Sequence, residues 1–324
     1  MAHDLGQPAQ AAALAEAALD IWRALDDGRG QARVLDDLGN IAHDRGDFAR
    51  AVALHEEALV LAREAGDRRG AGRSLNNLAM VALYRGQDEQ AWGLYNEALA
   101  LLRDVGDQYG VNVVLTNLGI VAIRRGDLDQ AVALARECLA GCRALGDEPG
   151  VGVALANLAE ARLLQGDLTE AAVHYESARR LVQNLGDDRA AAEAYYGLGA
   201  VGLAQGDERR AASLFGTALA LAHGVDDQMK IADSLEALAG VAMRQGKAKR
   251  ATKLLAAAAA LRDRIEAPVA AHRRADLARV VAATRARLEP AEFDAAWETG
   301  QAWSLERAVS EATSLAEMLA EAPT

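Results

Sequence analysis

The sequence predicts an all-α protein, a solenoid of six stacked helical hairpins with further helices at both ends. Three observations carry this. Turn signals recur every 20 residues, without a gap, over about two thirds of the chain. Between them the apolar residues recur at helical spacing. Finally, 75 of the 324 residues are alanine and only 4% are aromatic, a composition that favours helix over sheet.

The turns fix the register. From Gly46-Asp47, steps of 40 land on Gly86-Gln87, Gly126-Asp127, Gly166-Asp167, Gly206-Asp207 and Gly246-Lys247. A second set lies halfway between, at Gly66-Asp67, Gly106-Asp107, Gly146-Asp147 and Gly186-Asp187. Its outer members have drifted to Asp26-Asp27 and Asp226-Asp227. Glycine after a helix adopts the left-handed conformation that closes it, and the following aspartate caps the next helix. Asp167-Leu-Thr-Glu170 reads as a capping-box variant.

The elements follow in order. Ala12, Leu14, Ala15, Ala18, Leu19 and Trp22 make one amphipathic helix over 9–25, a half-repeat able to cap the stack. The first helix (A) of each unit repeats Leu35, Leu38, Ala42 as Leu75, Leu78, Ala82 and Leu115, Leu118, Ala122. The second helix (B) repeats Ala51, Leu54, Ala58 as Ala91, Leu94, Ala98 and Ala131, Leu134, Cys138. Small residues recur where the two helices cross, and the apolar face of each hairpin needs a neighbour. After residue 264 the period is lost. Pro268 and Pro290 suit the first turns of helices. Leu277, Val280, Val281, Thr284 and Leu288 share one helical face. Leu305, Ala308, Val309, Ala312, Leu315 and Leu319 share another, started by Ser304. The expected organisation is a capping helix at 1–26, six repeats over 27–266 and a helical cap at 267–324.

The repeat resembles the tetratricopeptide repeat (TPR) family. The residues that carry the likeness are Asp37-Leu38-Gly39-Asn40, Gly46-Asp47, Ala51 and Ala58; Asn77-Leu78-Ala79, Ala91, Tyr95 and Ala98; Asn117-Leu118-Gly119; Asn157-Leu158-Ala159, Ala171, Tyr175 and Ala178; and Gly197-Leu198-Gly199, Ala211, Phe215 and Ala218. The period is 40 rather than the usual 34, and the closing proline is missing, as in the subclass seen in kinesin light chains and bacterial signalling proteins. The resemblance implies a right-handed superhelix whose A helices line a concave ligand-binding groove. The tail, from Arg250 through Phe293-Asp-Ala-Ala-Trp297 to Ala308, resembles the C-terminus of bacterial LuxR-type and STAND ATPase regulators. That likeness implies that the chain is the sensor end of such a protein, linked to an ATPase or DNA-binding module in a longer natural chain, or a stand-alone relative. No Gly-x-x-x-x-Gly-Lys-[Ser/Thr] occurs in this sequence.

Several function classes find no support. No apolar run is long enough to span a membrane, and Met1–Gln10 lacks the layout of a signal peptide, so a cytoplasmic protein without membrane partners is expected. A net charge of −12 argues against general nucleic-acid binding. His3, His43, His55, His174, His223 and His272 are scattered. His55 takes the slot of Tyr95, Tyr175 and Phe215 and reads as a packing residue. Cys138 and Cys142 sit one turn apart without further metal ligands nearby, and read as buried thiols. No enzyme, metal or cofactor is expected.

Binding is better supported. On the A helices the face opposite the core falls at 33, 36, 37, 40, 43 and 44 and their 40-residue equivalents. It offers Arg33, Asp37, Arg73, Asn76, Asn77, Asn117, Arg124, Asn157, Glu160 and Tyr196 as ligand-binding candidates. The 37 column reads Asp37, Asn77, Asn117, Asn157, Gly197, Ala237; the 33 column runs from Arg33 and Arg73 to Glu193 and Asp233. Amides offer donors and an acceptor together, and in the resembled subclass asparagines of this helix grip peptide backbone. The same asparagines can equally bond a neighbouring helix. The column His43, Leu83, Ile123, Leu163, Leu203, Met243 is an apolar floor or plain packing. Residues 247–287 carry eleven cations and three acids; such a stretch can read as an RNA, DNA or anion site, but it reads better as packing, with either the acidic last helices folded onto it or the acidic repeats beside it. The function expected is a non-enzymatic peptide- or protein-recognition module of a bacterial signalling or transcriptional regulator. A small-molecule effector sensor and a pure scaffold are the alternatives.

Overall fold

The structure, a computed structural model, describes residues 6–265 and 267–321. The first residues of the expected 1–26 cap and the last of the 267–324 cap lie outside them. Sixteen helices and no strand form among the described residues. Contacts divide the chain into two compact units, residues 1–125 with 140–145 and residues 126–139 with 146–324. The first unit holds α1 (Gly6–Ala24), α2 (Gly28–Asp44), α3 (Phe48–Glu64), α4 (Arg68–Tyr84), α5 (Asp88–Asp104), α6 (Gln108–Arg125) and the end of α7 (Leu128–Leu145). The second holds the start of α7, then α8 (Glu148–Leu164), α9 (Leu168–Leu185), α10 (Asp188–Ala204), α11 (Glu208–Gly224), α12 (Gln228–Arg244) and α13 (Ala248–Arg264). Its last helices are α14 (Ala271–Arg287), α15 (Pro290–Gln301) and α16 (Leu305–Glu321).

Turn chemistry explains the 20-residue beat. Ten turn glycines from Gly46 to Gly246 have φ between +65° and +85°, where a Cβ is penalised. At the two drifted turns, Asp26 and Asp226 themselves take φ of 52° and 51°. The next residue closes the following helix. Asp47, Asp67, Asp107, Asp147, Asp167, Asp187, Asp207 and Asp227 each accept from the N–H three residues on, at 2.9–3.1 Å. Gln87 and Lys247 make no side-chain cap.

Two local expectations need correction. The capping box at Asp167 is only half-formed: the Asp167 N–H donates to the Arg162 carbonyl at 2.9 Å, and the Glu170 carboxylate faces Arg162 Nε at 2.7 Å instead. Pro268 does not start a helix. Residues 267–270 run outside helix and α14 begins at Ala271. Pro290 does occupy the first turn of α15, and Ser304 Oγ accepts from the Arg307 N–H at the start of α16.

In the first unit each helix from α1 to α6 packs on the next. In the second, α8 to α13 do the same, α15 covers α13, and α16 lies on α11 and α12. The small residues are where the helices cross. A Cβ on Gly39 would lie 2.4 Å from the His55 ring, and one on Gly199 would lie 2.7 Å from the Phe215 ring. These are the same two repeat slots, one pair in each unit. Phe293, Leu315 and Leu319 are buried in the second unit, so α15 and α16 are anchored by apolar contact at roughly 1.5–3 kcal/mol per large side chain. In α1, Leu19 is buried and Trp22 lies against Gly30. Leu14 is 66% exposed, contrary to its expected place on the packed face, while Ala12, Ala15, Ala18 and Trp22 are half-buried there.

Candidate ligand-binding face

In the first unit the A helices are α2, α4 and α6. Arg33, Asp37 and Arg73 are exposed on them, as expected. Asn76 and Asn117 are half-buried, but Asn77 is only 7% exposed. The three amides form a chain. Asn117 Nδ2 donates to Asn76 Oδ1 at 3.0 Å, and Asn76 Nδ2 donates to Asn77 Oδ1 at 3.3 Å. The Nδ2 of Asn77 is buried and has no hydrogen-bond partner among the described residues. Desolvation holds the Asp37 carboxyl above its ordinary value, against the pull of Arg73 and Arg33.

Asp36, read from periodicity as an open-face residue, is 1% exposed. It accepts from Ser74 Oγ at 2.9 Å and from Arg73 Nε at 3.0 Å, and it pairs with His55 Nδ1 at 2.9 Å. His55 is therefore a packing residue, as expected, but one held in place by a buried carboxylate. Arg124 points to the neighbouring B helix, pairing with Asp88 at 2.8 Å. Tyr84 packs with His43 and Phe48, ring centroids 4.6 and 6.4 Å away. His43 thus belongs to a packing cluster. Along its column Ile123 and Met243 are buried.

In the second unit the A helices are α8, α10 and α12. Asn157, Glu160 and Tyr196 are half-buried on them. Gly197 explains why the asparagine column ends here: a Cβ at that slot would lie 2.2 Å from the Tyr175 ring. Tyr196 is covered by charge. Lys230 Nζ stands 4.6 Å from its ring centroid and the Arg273 guanidinium 5.6 Å. Arg273 belongs to α14, beyond the repeats. It donates to Asp233 and, at 3.0 Å, to Glu236 Oε2. Arg262 of α13 donates to Glu236 Oε1 at 2.6 Å and to Asp233 at 2.5 Å. Lys230 pairs with Glu193 at 2.5 Å and Asp233 at 3.3 Å.

The charges tune one another. Burial pushes the Asp233 carboxyl up, but Lys230, Arg273 and Arg262 together hold it well below the usual carboxylate range. Burial, reinforced by Glu193, raises Glu160 to about 7. Burial also lifts the Tyr196 phenol to about 12. The sequence places Tyr196 on the face but does not show that Arg273 stands above it, or that Arg262 joins the same acids. The available signal was the reversal of the 33 column from arginine to acid, opposite a tail carrying eight surplus positive charges. Of the two explanations for that basic stretch, the acidic repeats neighbour it: Asp233 and Glu236 hold Arg262 and Arg273, while the last helices add Glu292, 3.9 Å from Lys249.

Cys138 and Cys142 are both buried and are not joined in a disulfide. No group of three potential metal ligands forms among the described residues, and no described helix is long and apolar enough to cross a membrane.

A family model described as tetratricopeptide repeat matches residues 1–64, 31–104, 110–184 and 151–222. No curated protein sequence matches the chain. Solved structures with a similar fold include BtubC (BKLC) from P. vanneervenii, at 23% identity over 68% of this chain and 92% of that one, with a TM-score of 0.58. A Rap protein complexed with competence and sporulation factor matches at 15% identity over 90% of this chain and 77% of that one, with a TM-score of 0.64. The signal transduction ATPase PH0952 from Pyrococcus horikoshii, which has a tetratricopeptide repeat sensor, matches at 15% identity over 68% of this chain and 34% of that one, with a TM-score of 0.55. At these identities the likeness is one of fold.

Proposed function

Since the chain belongs to the tetratricopeptide repeat family, we propose that it is a non-enzymatic recognition module of a bacterial signalling regulator, and that an extended peptide segment lies along its A-helix face. The observation that carries this reading is the amide chain of Asn76, Asn77 and Asn117, which ends in a buried Nδ2 without a partner among the described residues. A buried amide donor left unpaired costs about 1–3 kcal/mol, and a peptide carbonyl would satisfy it once the Asn77 side chain turns outward, since its Nδ2 is closed to the surface in the unliganded chain. An extended chain rises about 3.3 Å per residue, so successive A helices meet a backbone every few residues, whatever its side chains. Arg33 and Arg73 flank the amides and favour an acidic side chain or a terminal carboxylate nearby. In support of a recognition role, one protein of similar fold is a Rap protein complexed with competence and sporulation factor, and another is an ATPase whose tetratricopeptide repeats form its sensor.

The test is selection of binders from a random dodecapeptide library on the folded chain, followed by titration. Selected peptides should lose about tenfold in affinity for each hydrogen bond removed by Asn77→Ala or Asn117→Ala, with thermal stability unchanged. Equal affinity for wild type and both variants, or no selected binder, contradicts the reading.

A further inference from the structure

Helix α14 differs from its neighbours in what holds it. In α13, α15 and α16 apolar side chains are fully buried, among them Leu254, Phe293 and Leu315. In α14 the apolar contacts of Leu277, Val280 and Val281 are only partial, and the one described side chain buried there is the polar Thr284. Its N-cap position is Ala270, which gives no side-chain cap, after a non-helical run from residue 267. Its ion pairs sit at one end, where Arg273 reaches Asp233 and Glu236 of α12 and stacks over Tyr196 of α10; at the other end the Arg285 guanidinium lies 4.5 Å from the Phe293 ring centroid of α15.

Those three partners occupy the 33 and 36 columns, the face of the A helices that in repeats one and two presents Arg33, Arg73 and Asn76. The chain's own tail therefore covers in repeats five and six the kind of surface that is open in repeats one and two. Removing Arg273 leaves no acid stranded. Asp233 and Glu236 keep Arg262, and Asp233 also keeps Lys230. The contact is thus separable from the fold, as a detachable element needs to be.

We propose that α14 is a strap, latched by Arg273, that closes the A-helix face of repeats five and six until it is displaced. This rests on the reading of the A-helix face as the ligand face. The strap swings out by breaking the Arg273 pairs, the partial contacts of Leu277, Val280 and Val281 and the stacking of Arg285 on Phe293, and by exposing Thr284, while α15 and α16 stay seated on α13, α11 and α12. A ligand on the A-helix face of repeats five and six competes with it.

Amide hydrogen exchange on the full chain tests the strap. In the wild type, α14 should exchange about tenfold faster than α13, α15 and α16. Arg273→Glu should speed α14 by about a further tenfold and leave the other three within about twofold, and Arg273→Lys, which keeps the charge, should restore most of the protection. Equal protection of α14 and α13 in both wild type and Arg273→Glu overturns the proposal. So does loss of protection across α12, α13 and α15 together, which would make Arg273 a residue of the fold. A second arm uses a labelled synthetic peptide of residues 270–288. It should bind the Arg273→Glu chain saturably and the wild type not at all. If exchange shows α14 open in Arg273→Glu and the peptide still does not bind, the strap stands and the ligand-face reading falls.

Discussion

Arg273 Nη2 donates to Glu236 Oε2 at 3.0 Å, joining a helix outside the repeats to the A helix of the sixth hairpin. The other oxygen of the same carboxylate accepts from Arg262 Nε at 2.6 Å. Glu236 thus serves two cations in different settings, for the Arg262 side chain is 7% exposed and that of Arg273 is 25% exposed.

The two arginines should respond unequally. Glu236→Ala takes from the buried Arg262 one of its two carboxylates and leaves it Asp233; losing charge-assisted hydrogen bonds to a buried cation should cost about 2–3 kcal/mol. Arg273→Ala removes a cation whose partners keep Arg262, and should cost about 1 kcal/mol. Urea denaturation of the two variants measures the difference.

At the drifted turns aspartate sits where glycine belongs. A non-glycine residue pays about 1–2 kcal/mol in the left-handed region, less for aspartate. Asp226→Gly relieves φ of 51° at the cost of a looser unfolded chain. The net gain should be about 0.5 kcal/mol, seen as a small rise in melting temperature. A fall would mean that the Asp226 side chain contributes more than its backbone costs.

The crossing at Gly199 should tolerate no side chain. A Cβ there would lie 2.7 Å from Phe215, whose ring is 1% exposed and has no room to move. Gly199→Ala should destabilise by about 1–3 kcal/mol through overpacking, and the double variant with Phe215→Leu should recover part of the loss. Thermal unfolding of the three chains checks this.

Glu160 gives the chain a pH dependence of stability. Its carboxyl is raised from 4.5 to about 7 in the folded state, so between those values the folded form holds a proton that the unfolded form has released. Stability therefore falls as pH rises through that window, with the full loss present above it. Glu160→Gln should flatten this slope and raise stability at pH 8 by roughly 1–3 kcal/mol. Urea midpoints at pH 5 and pH 8 for both chains read the effect.

The turns and the helices were legible because each turn demands a particular residue locally, glycine or aspartate at positive φ and then a cap. The hairpin unit was legible because Leu35, Leu38, Ala51 and Ala58 repeat at fixed spacing. Burial on the A-helix face was not. Periodicity marks one free stripe but does not say how the preceding hairpin leans on it. Asp36 and Asn77 were therefore placed in the open, and both are buried. The pairing of Arg273 with Asp233 was out of reach for a further reason: it spans 40 residues and a non-helical run, and no local pattern encodes where a tail helix lands. Pro268 misled in the same region, since proline is as well suited to the segment before a helix as to its first turn.

The central claim is that Asn77 keeps its amide hydrogens for a ligand backbone. The most direct measurement is the side-chain amide signal of Asn77 in a proton–nitrogen correlation spectrum, assigned through Asn77→Ala, during titration with a selected peptide. The account predicts a large shift of that signal and slowed exchange of its hydrogens, saturating with the peptide's own affinity. An Asn77 signal that stays in place while the peptide saturates the chain would contradict it.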